Sequence, residues 1–446
     1  MLSVTLLGHA CALVRGGGAV LCDPVLGDEV SGGGNLIDPP RRIDCSALRS
    51  VEAILLSHHH SDHYDPIGLE QVPALRGKAV FAPAGSAVVD ELRRCGRTVV
   101  ELRAGDRTRI ADIEVTATPS EAPFPEIGFL FKRGGASILN LADSLIHGVM
   151  AELSGLAQRP GLVLAPFQAG GYMSLLPLRV GGPPLGLAEA IRAWSTVHTD
   201  ELADDLGRLH PQCVVPFADG IAYRDAAINR WHFPLPDERF AEALGRHGIA
   251  MAAATPGLCY RVEPSRVVRP EVQDGLVSVT GPRLDRRFDP TQRIDDMPMA
   301  CTAGAGEQAP DVRARLPLLA ERLARARAQR TSADRADLDA ALASWELELC
   351  DAADSESRFL RVTLAAGRAT VRLRRADDLA CAYGIRAHWR DLATVLDGDM
   401  PLEFIELGGA FRYMAPQDVE LESVRQRVLA PLRALLATNA LEHRPV

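Results

Sequence analysis

The stretch Leu55-Leu-Ser-His-His-His-Ser-Asp-His-Tyr-Asp65 decides the reading of this chain. It holds His58, His60, Asp62 and His63, four potential metal ligands within six residues, after the apolar run Ala53–Leu56 and before a predicted helix. Residues so close in sequence cannot all share one face of a helix or a strand. The pattern therefore predicts a loop that wraps around something. Imidazole together with carboxylate suits zinc, iron or manganese. One such loop can offer His58 and His60 to a first ion and Asp62 with His63 to a second, the donor arrangement of a dinuclear centre. The plainer alternative is a polar surface loop, and the strand-then-loop setting speaks against it.

Outward from this loop, short apolar runs alternate with Gly and Pro turns over about 270 residues. Runs at Val4–Leu7, Ala19–Cys22, Ala53–Leu56, Ala79–Phe81, Val99–Leu102, Ile113–Ala117, Gly128–Lys132, Ser137–Leu141, Leu162–Ala165 and Cys213–Pro216 predict strands. Leu187–Ala193 and Thr199–Leu209 have helical spacing. Many strands with helices among them predict an α/β domain of four layers, αββα, with two sheets inside and helices outside.

The chain has 446 residues, more than one core usually serves, so two domains are expected. Periodicity fades between Pro264 and Pro310, which places a catalytic domain at 1–265, a linker at 266–310 and a smaller α+β domain at 311–446. In that last part Val312–Arg327, Ser332–Asp351, Trp389–Leu396 and Leu421–Ala437 read as helices, and Arg358–Leu364 with Ala369–Leu373 as a strand pair. No tight cluster of His, Cys or acids occurs there, and no internal repeat is visible.

A net charge of −9 argues against nucleic acid or an anionic membrane as the main partner. The arginines of Arg313–Arg330 alternate with leucine and alanine, as on a solvated helix face. No apolar run reaches the roughly 18 residues of a membrane span. Met1–His9 lacks the basic start of a signal peptide, and nine cysteines without a Cys-x-x-Cys pair read as reduced thiols. A cytoplasmic protein is expected.

The loop resembles the signature of the metallo-β-lactamase superfamily, and the resemblance extends from residue 1 to about 260. Leu6-Leu-Gly-His-Ala10 and Leu21-Cys-Asp-Pro24 resemble the opening of its ascorbate-phosphate-lactonase-like and phospholipase-D-like branches. Asp143, in Ile138-Leu-Asn-Leu-Ala-Asp143, matches the carboxylate that bridges the two metals. His9 and Asp23 are then expected to support the site rather than ligate.

Two departures follow from the comparison with that pattern. The third histidine on the first metal is expected shortly before Gly128–Lys132, where this chain reads Pro119-Ser-Glu-Ala-Pro-Phe-Pro-Glu126. Glu121 is the best substitute and Glu126 the second choice. The last histidine is expected in a Pro-x-His context, where Val214-Val-Pro-Phe-Ala-Asp219 has alanine. Asp219, His232 from the Trp231-His232 loop, or water could fill that place. Glutamate for histidine hardens the ligand set and favours iron or manganese.

Asp23–Gly27, Ser31–Gly34, Ala165-Pro-Phe-Gln-Ala-Gly-Gly-Tyr172 and Pro216-Phe-Ala218 together resemble the CMP-N-acetylneuraminate hydroxylase type, without its Rieske domain. A metallo-β-lactamase-fold hydroxylase of chloramphenicol biosynthesis is similar in having glutamate among its ligands. Gln168, Gly170, Gly171 and Tyr172 resemble a pocket wall in the related family.

These resemblances imply an oxygenase with two metal ions, iron preferred and zinc or manganese the alternative, using O2 and an external electron donor. His58, His60 and Glu121 would hold one ion, Asp62 and His63 the other, and Asp143 would bridge; Asp62 and Glu121 are the expected catalytic carboxylates. The alternative is a hydrolase of a lactone or phosphate ester. A small-molecule substrate, an external reductase and an assembly compatible with a homodimer complete the expectation. His198 and His210 read as exposed or capping residues. Trp389–Gly398 with Phe404–Arg412 resembles a sterol-carrier-like module, or a purely structural cap.

Overall fold

The computed structural model describes residues 1–30, 33–122, 124–167, 178–179, 196–224, 226–229, 237–264, 266–272, 275–284, 312–328, 332–343, 345–351, 354–365, 368–374, 383–389, 391–393 and 411–415. Two large sheets dominate. One runs Val267–Val272, Leu258–Val262, Leu2–Gly8, Cys11–Arg15, Ala19–Cys22, Val51–Leu55, Ala79–Pro83, Val99–Leu102. The other runs Arg107–Ile110, Ile113–Thr118, Gly128–Arg133, Ala136–Asn140, Leu162–Pro166, Cys213–Phe217, Ala250–Met251.

Alternation along the strands explains the layers. Leu2, Val4 and Leu6, with Val20, Cys22, Ala53 and Leu55, pack in one cluster with Val115, Phe129, Phe131 and Ile138 of the second sheet. The intervening Leu7, Leu13, Leu21 and Ile54 join Leu69, Val88, Val89 and Leu92 from the helices Pro66–Gln71 and Ala87–Arg94. Strands apolar on both faces must be covered on both faces, which yields sheet against sheet and helix outside. Each fully buried side chain of this kind contributes roughly 1.5–3 kcal/mol relative to exposure. The expected αββα arrangement is therefore present.

Both sheets change character midway. Pairing is antiparallel up to Ala19–Cys22 and parallel from there to Val99–Leu102. In the second sheet it turns parallel between Ala136–Asn140 and Leu162–Pro166. The carboxyl ends of the parallel strands lead into Asp23, the His58 loop, Asp143 and Asp219, where an open α/β sheet places its ligands.

The first sheet runs past residue 265, where Val267–Val272 pairs with Leu258–Val262; Val277–Val279 pairs with Arg41–Ile43 in a separate two-stranded sheet. A six-stranded sheet, five of its strands from the C-terminal part, has the order Leu178–Arg179, Phe411–Ala415, Tyr383–His388, Trp345–Asp351, Asp354–Ala365, Arg368–Arg374. The helix expected over Ser332–Asp351 ends at Ala343, and Trp345–Asp351 is a strand. Its period-two pattern, Trp345, Leu347 and Leu349 against Glu346 and Glu348, suits a pleat rather than a helix. The expected helices Leu187–Ala193 and Leu421–Ala437 lie outside the described residues. Among the described residues no helix is long and apolar enough to cross a membrane.

Candidate metal centre

The strand Val51–Leu55 ends in a tight turn because its next groups are taken. Leu56 N–H donates to Phe81 O, and Ser57 N–H donates to Asp23 Oδ1 at 2.7 Å. His63 and Tyr64 then both donate their N–H to His60 O, which closes the loop. Asp65, the last residue of the quoted stretch, caps the following helix by accepting from Gly68 N–H at 2.8 Å. The chain thus leaves a strand, folds back once around His58–His63 and enters a helix.

The structure brings His58, His60, Asp62, His63 and Asp143 together. One ligand atom from each of His58, His63 and Asp143 fits within 4.8 Å of the others, as does one from each of His58, His60 and Asp62. His63 Nε2 lies 3.3 Å from Asp143 Oδ1 and 3.9 Å from Asp62 Oδ2. Asp143 follows the strand Ala136–Asn140 through a turn in which Asn140 Oδ1 accepts from Ala142 N–H and Ala142 has φ +50°.

Behind these residues stands a buried frame. Asp23 Oδ2 is 3.1 Å from His63 Nδ1 and accepts from Ser57 Oγ at 2.8 Å. His9 Nδ1 accepts from Gly220 N–H, so its proton sits on Nε2 and is directed at Asp62 Oδ2, 3.2 Å away. His9, Asp23, Ala142 and Ala218 all have φ between +41° and +59°, a conformation costly for L side chains that recurs where function over-determines the backbone. Asp23 thus backs His63 and His9 backs Asp62, and one ligand atom from each of His9, Asp62 and His63 also fits within 4.8 Å of the others.

The two glutamates of the Pro119–Glu126 segment part company, in the opposite order to the sequence expectation. Glu121 is exposed, and its carboxylate accepts from Gly148 N–H. Glu126 is buried, accepts from Ser120 Oγ, and places Oε1 3.3 Å from His58 Nδ1. The physical reason is a main-chain bond: Ile127 N–H donates to Ser57 O at 3.0 Å and draws residue 126 against the loop. The same segment lays Phe124 over the cluster, its ring centroid 4.9 Å from that of His60 and 5.6 Å from that of His58. Sequence reading missed Phe124 and Ser57; the signal for Ser57 was its place directly before His58.

Asp219, one choice for the last ligand, is 3.2 Å from Arg283 Nη1. His232 and the residues Gln168, Gly170, Gly171 and Tyr172 lie outside the described residues. His210 is an exposed helix C-cap in the left-handed conformation, as expected for a capping residue.

The electrostatics are those of a cation site. Burial, followed by the neighbouring histidines, drives His58 well below the ordinary histidine value. Burial also pushes His60 down to about 4. His63 goes the other way: burial opposes its charge, but Asp143 and Asp62 outweigh that and raise it well above normal. Burial alone would raise Asp62, yet His63 and His9 hold it below the usual carboxylate range. Glu126 is pushed up to about 7 by burial and then by the charge of Asp143.

His58 Nε2 and Asp62 Oδ1 are buried without a hydrogen bond, each costing roughly 1–3 kcal/mol. A cation offsets both costs at once, so the donor set fits a metal.

Comparison with known proteins gives the following similarities. Residues 19–172 match the family model of the beta-lactamase superfamily domain. A UPF0173 protein of Pyrococcus furiosus is 26% identical over 218 residues, spanning 48% of this chain and 81% of that protein. A UPF0173 metal-dependent hydrolase of the same organism is 26% identical over 166 residues, spanning 35% of this chain and 68% of that protein. Among solved structures, CmlA, a diiron beta-hydroxylase from Streptomyces venezuelae, is similar at 18% identity and a TM-score of 0.39, covering 60% of this chain and 54% of that one. The chain spans about half the length of that solved protein.

Proposed function

Since the N-terminal part of this chain has the metallo-β-lactamase fold, we propose that it is a dinuclear metal enzyme, with iron as the preferred metal, that hydroxylates a small molecule. The observation that carries this reading is the carboxylate content of the centre. Asp62 and Asp143 lie among the histidines, and buried Glu126 sits 3.3 Å from His58 Nδ1, the ring nitrogen on the far side from Nε2. Neutral imidazoles keep a zinc ion electrophilic, whereas added carboxylates harden the donor set toward iron. His58 and His60 would hold one ion, Asp62 and His63 the other, and Asp143 would lie between; Glu126, not Glu121, would stand behind His58 at Nδ1. Iron held there supplies one-electron redox chemistry and activation of dioxygen. The conversion balances as R–H plus O2, two electrons from an external reductase and two protons, giving R–OH and water.

The remaining tasks fall to the chain's own side chains. Asp23 holds His63 through Nδ1 and turns its Nε2 inward. The proton on His9 Nε2 occupies Asp62 Oδ2 and leaves Oδ1 for a cation. Phe124 covers His58 and His60 and limits the approach of water. Glu126, pushed up to about 7, can hold or release a proton beside His58 near neutral pH. A cavity of about 370 Å³ opens next to it, lined in part by Leu102, Arg103, Ser120, Ile127 and Val149 and by none of the clustered His and Asp side chains.

One observation favours a second reading. The three imidazoles of the loop, with Asp62, are also the donors of a hydrolytic site in which zinc acidifies a water, and one relative bears the name metal-dependent hydrolase. Oxygen uptake separates the two. The chemically reduced, iron-loaded protein is expected to consume O2; a zinc-loaded protein turning over an ester or lactone equally well under strict anaerobiosis would replace the oxygenase by the hydrolase.

A further inference from the structure

Ser57 lies between the two histidines at the ends of the loop, His58 and His63. It is fully buried. Its N–H donates to Asp23 Oδ1 at 2.7 Å, and its carbonyl accepts from Ile127 N–H at 3.0 Å, next to Glu126. Its Oγ has three polar neighbours: Asp23 Oδ2 at 2.8 Å, His58 Nδ1 at 3.0 Å and His63 Nδ1 at 3.3 Å.

A hydroxyl carries one hydrogen and two acceptor lone pairs. Asp23, already accepting the Ser57 N–H, can only accept, so the hydroxyl hydrogen goes to Asp23 Oδ2. Both imidazoles must then present Nδ1–H to this group of oxygens, His58 to Ser57 Oγ, with Glu126 Oε1 3.3 Å away, and His63 to Asp23 Oδ2 and Ser57 Oγ. With Nδ1 protonated on both rings, the lone pair of each is at Nε2. The His58 and His63 ring centroids are 4.1 Å apart, so the two Nε2 atoms serve one compact centre.

We propose that Ser57 is a positioning residue that couples the two halves of the metal centre: one hydroxyl sets the tautomer and tilt of a histidine assigned to each ion. The inference rests on the dinuclear part of the proposed function and is independent of whether the reaction is oxygenation or hydrolysis. Groups that orient a metal-bound histidine typically contribute 10–100-fold in metal affinity. A group shared by two histidines therefore weakens both binding steps when it is lost, not one.

The test titrates the metal-free, full-length protein with Co²⁺ and follows the visible bands. Wild type is expected to take up two ions. Ser57→Ala should lose about 10-fold or more in each of the two steps, and Ser57→Thr, which keeps the hydroxyl, should restore them. Ser57→Val matches threonine in size without the hydroxyl and should behave like alanine, which separates hydrogen bonding from packing; circular dichroism confirms that each variant is folded. In the zinc-loaded protein, nitrogen-15 NMR should show Nδ1 protonated on His58 and His63 in wild type and both signals displaced in Ser57→Ala. Unchanged affinities in Ser57→Ala, or a loss confined to one step, would overturn the coupling while leaving the dinuclear reading intact. Fewer than two cobalt ions in wild type contradict the dinuclear reading itself, and the coupling with it.

Discussion

The two walls of the centre are built on opposite principles. The Ser57–Tyr64 turn is anchored from behind through Asp23 and His9, while His58 Nε2 and Asp62 Oδ1 carry no hydrogen bond, and its ligands are close in sequence. Among its described residues, the Pro119–Glu126 wall touches the centre through Phe124 and Glu126, and Glu121 and Pro125 are exposed. In the proposed reading the first wall supplies the cation donors. The second contributes a carboxylate whose burial is costly until a cation is present. The contrast suggests that metal capacity resides in the turn, while the glutamate wall adjusts which metal and which proton inventory the turn supports.

The largest effect should come from breaking the first wall. His60→Ala is expected to lose half or more of the bound metal by elemental analysis, with activity falling accordingly; full metal content in this variant would remove His60 from the ligand set.

A smaller and more diagnostic effect belongs to the other wall. The Glu126 carboxyl, raised from an ordinary 4.5 to about 7, favours its neutral form in the fold. For an acid so shifted, the metal-free protein loses stability as pH climbs from 4.5 to 7, by an amount of the order of 3 kcal/mol. Glu126→Gln should therefore melt above wild type at pH 8 when both are metal-free, with the gap closing near pH 4.5. Metal should reverse the order, because the cation then compensates the charge. Melting curves with and without metal check this, and a variant that is less stable in both states would contradict the assignment.

Arg283→Ala removes the partially exposed ion pair with Asp219 and should cost no more than about 1 kcal/mol. A large loss of metal in this variant would mean that Asp219, not the turn, governs uptake. Glu121→Ala should do least, within about 0.5 kcal/mol and with full metal content, because its carboxylate meets Gly148 N–H at the surface. Depletion of one ion in that variant would exchange the roles of the two glutamates.

How far these walls can be read from sequence follows from how they are built. The turn is legible because its ligands sit within six residues behind an apolar strand, and the layered fold is legible because the strands that form it are short and apolar. The glutamate wall is not. Pro119–Glu126 has no periodicity, and whether residue 121 or 126 turns inward depends on Ile127 N–H reaching Ser57 O, a contact across 70 residues. Likewise nothing near Asp219 announces that Arg283 will meet it. The strand Cys11–Arg15 escaped notice because it is buried on both faces and lacks alternation, and Trp345–Asp351 because a helix runs into it with only one residue between.

The most direct test of the central claim is metal analysis of protein purified without added metal, with absorption spectra before and after anaerobic reduction and then on exposure to O2. The account predicts about two irons per chain, near-ultraviolet bands that bleach on reduction, and oxygen uptake by the reduced protein. Two zincs, a featureless spectrum and no oxygen uptake would contradict it and leave the hydrolase.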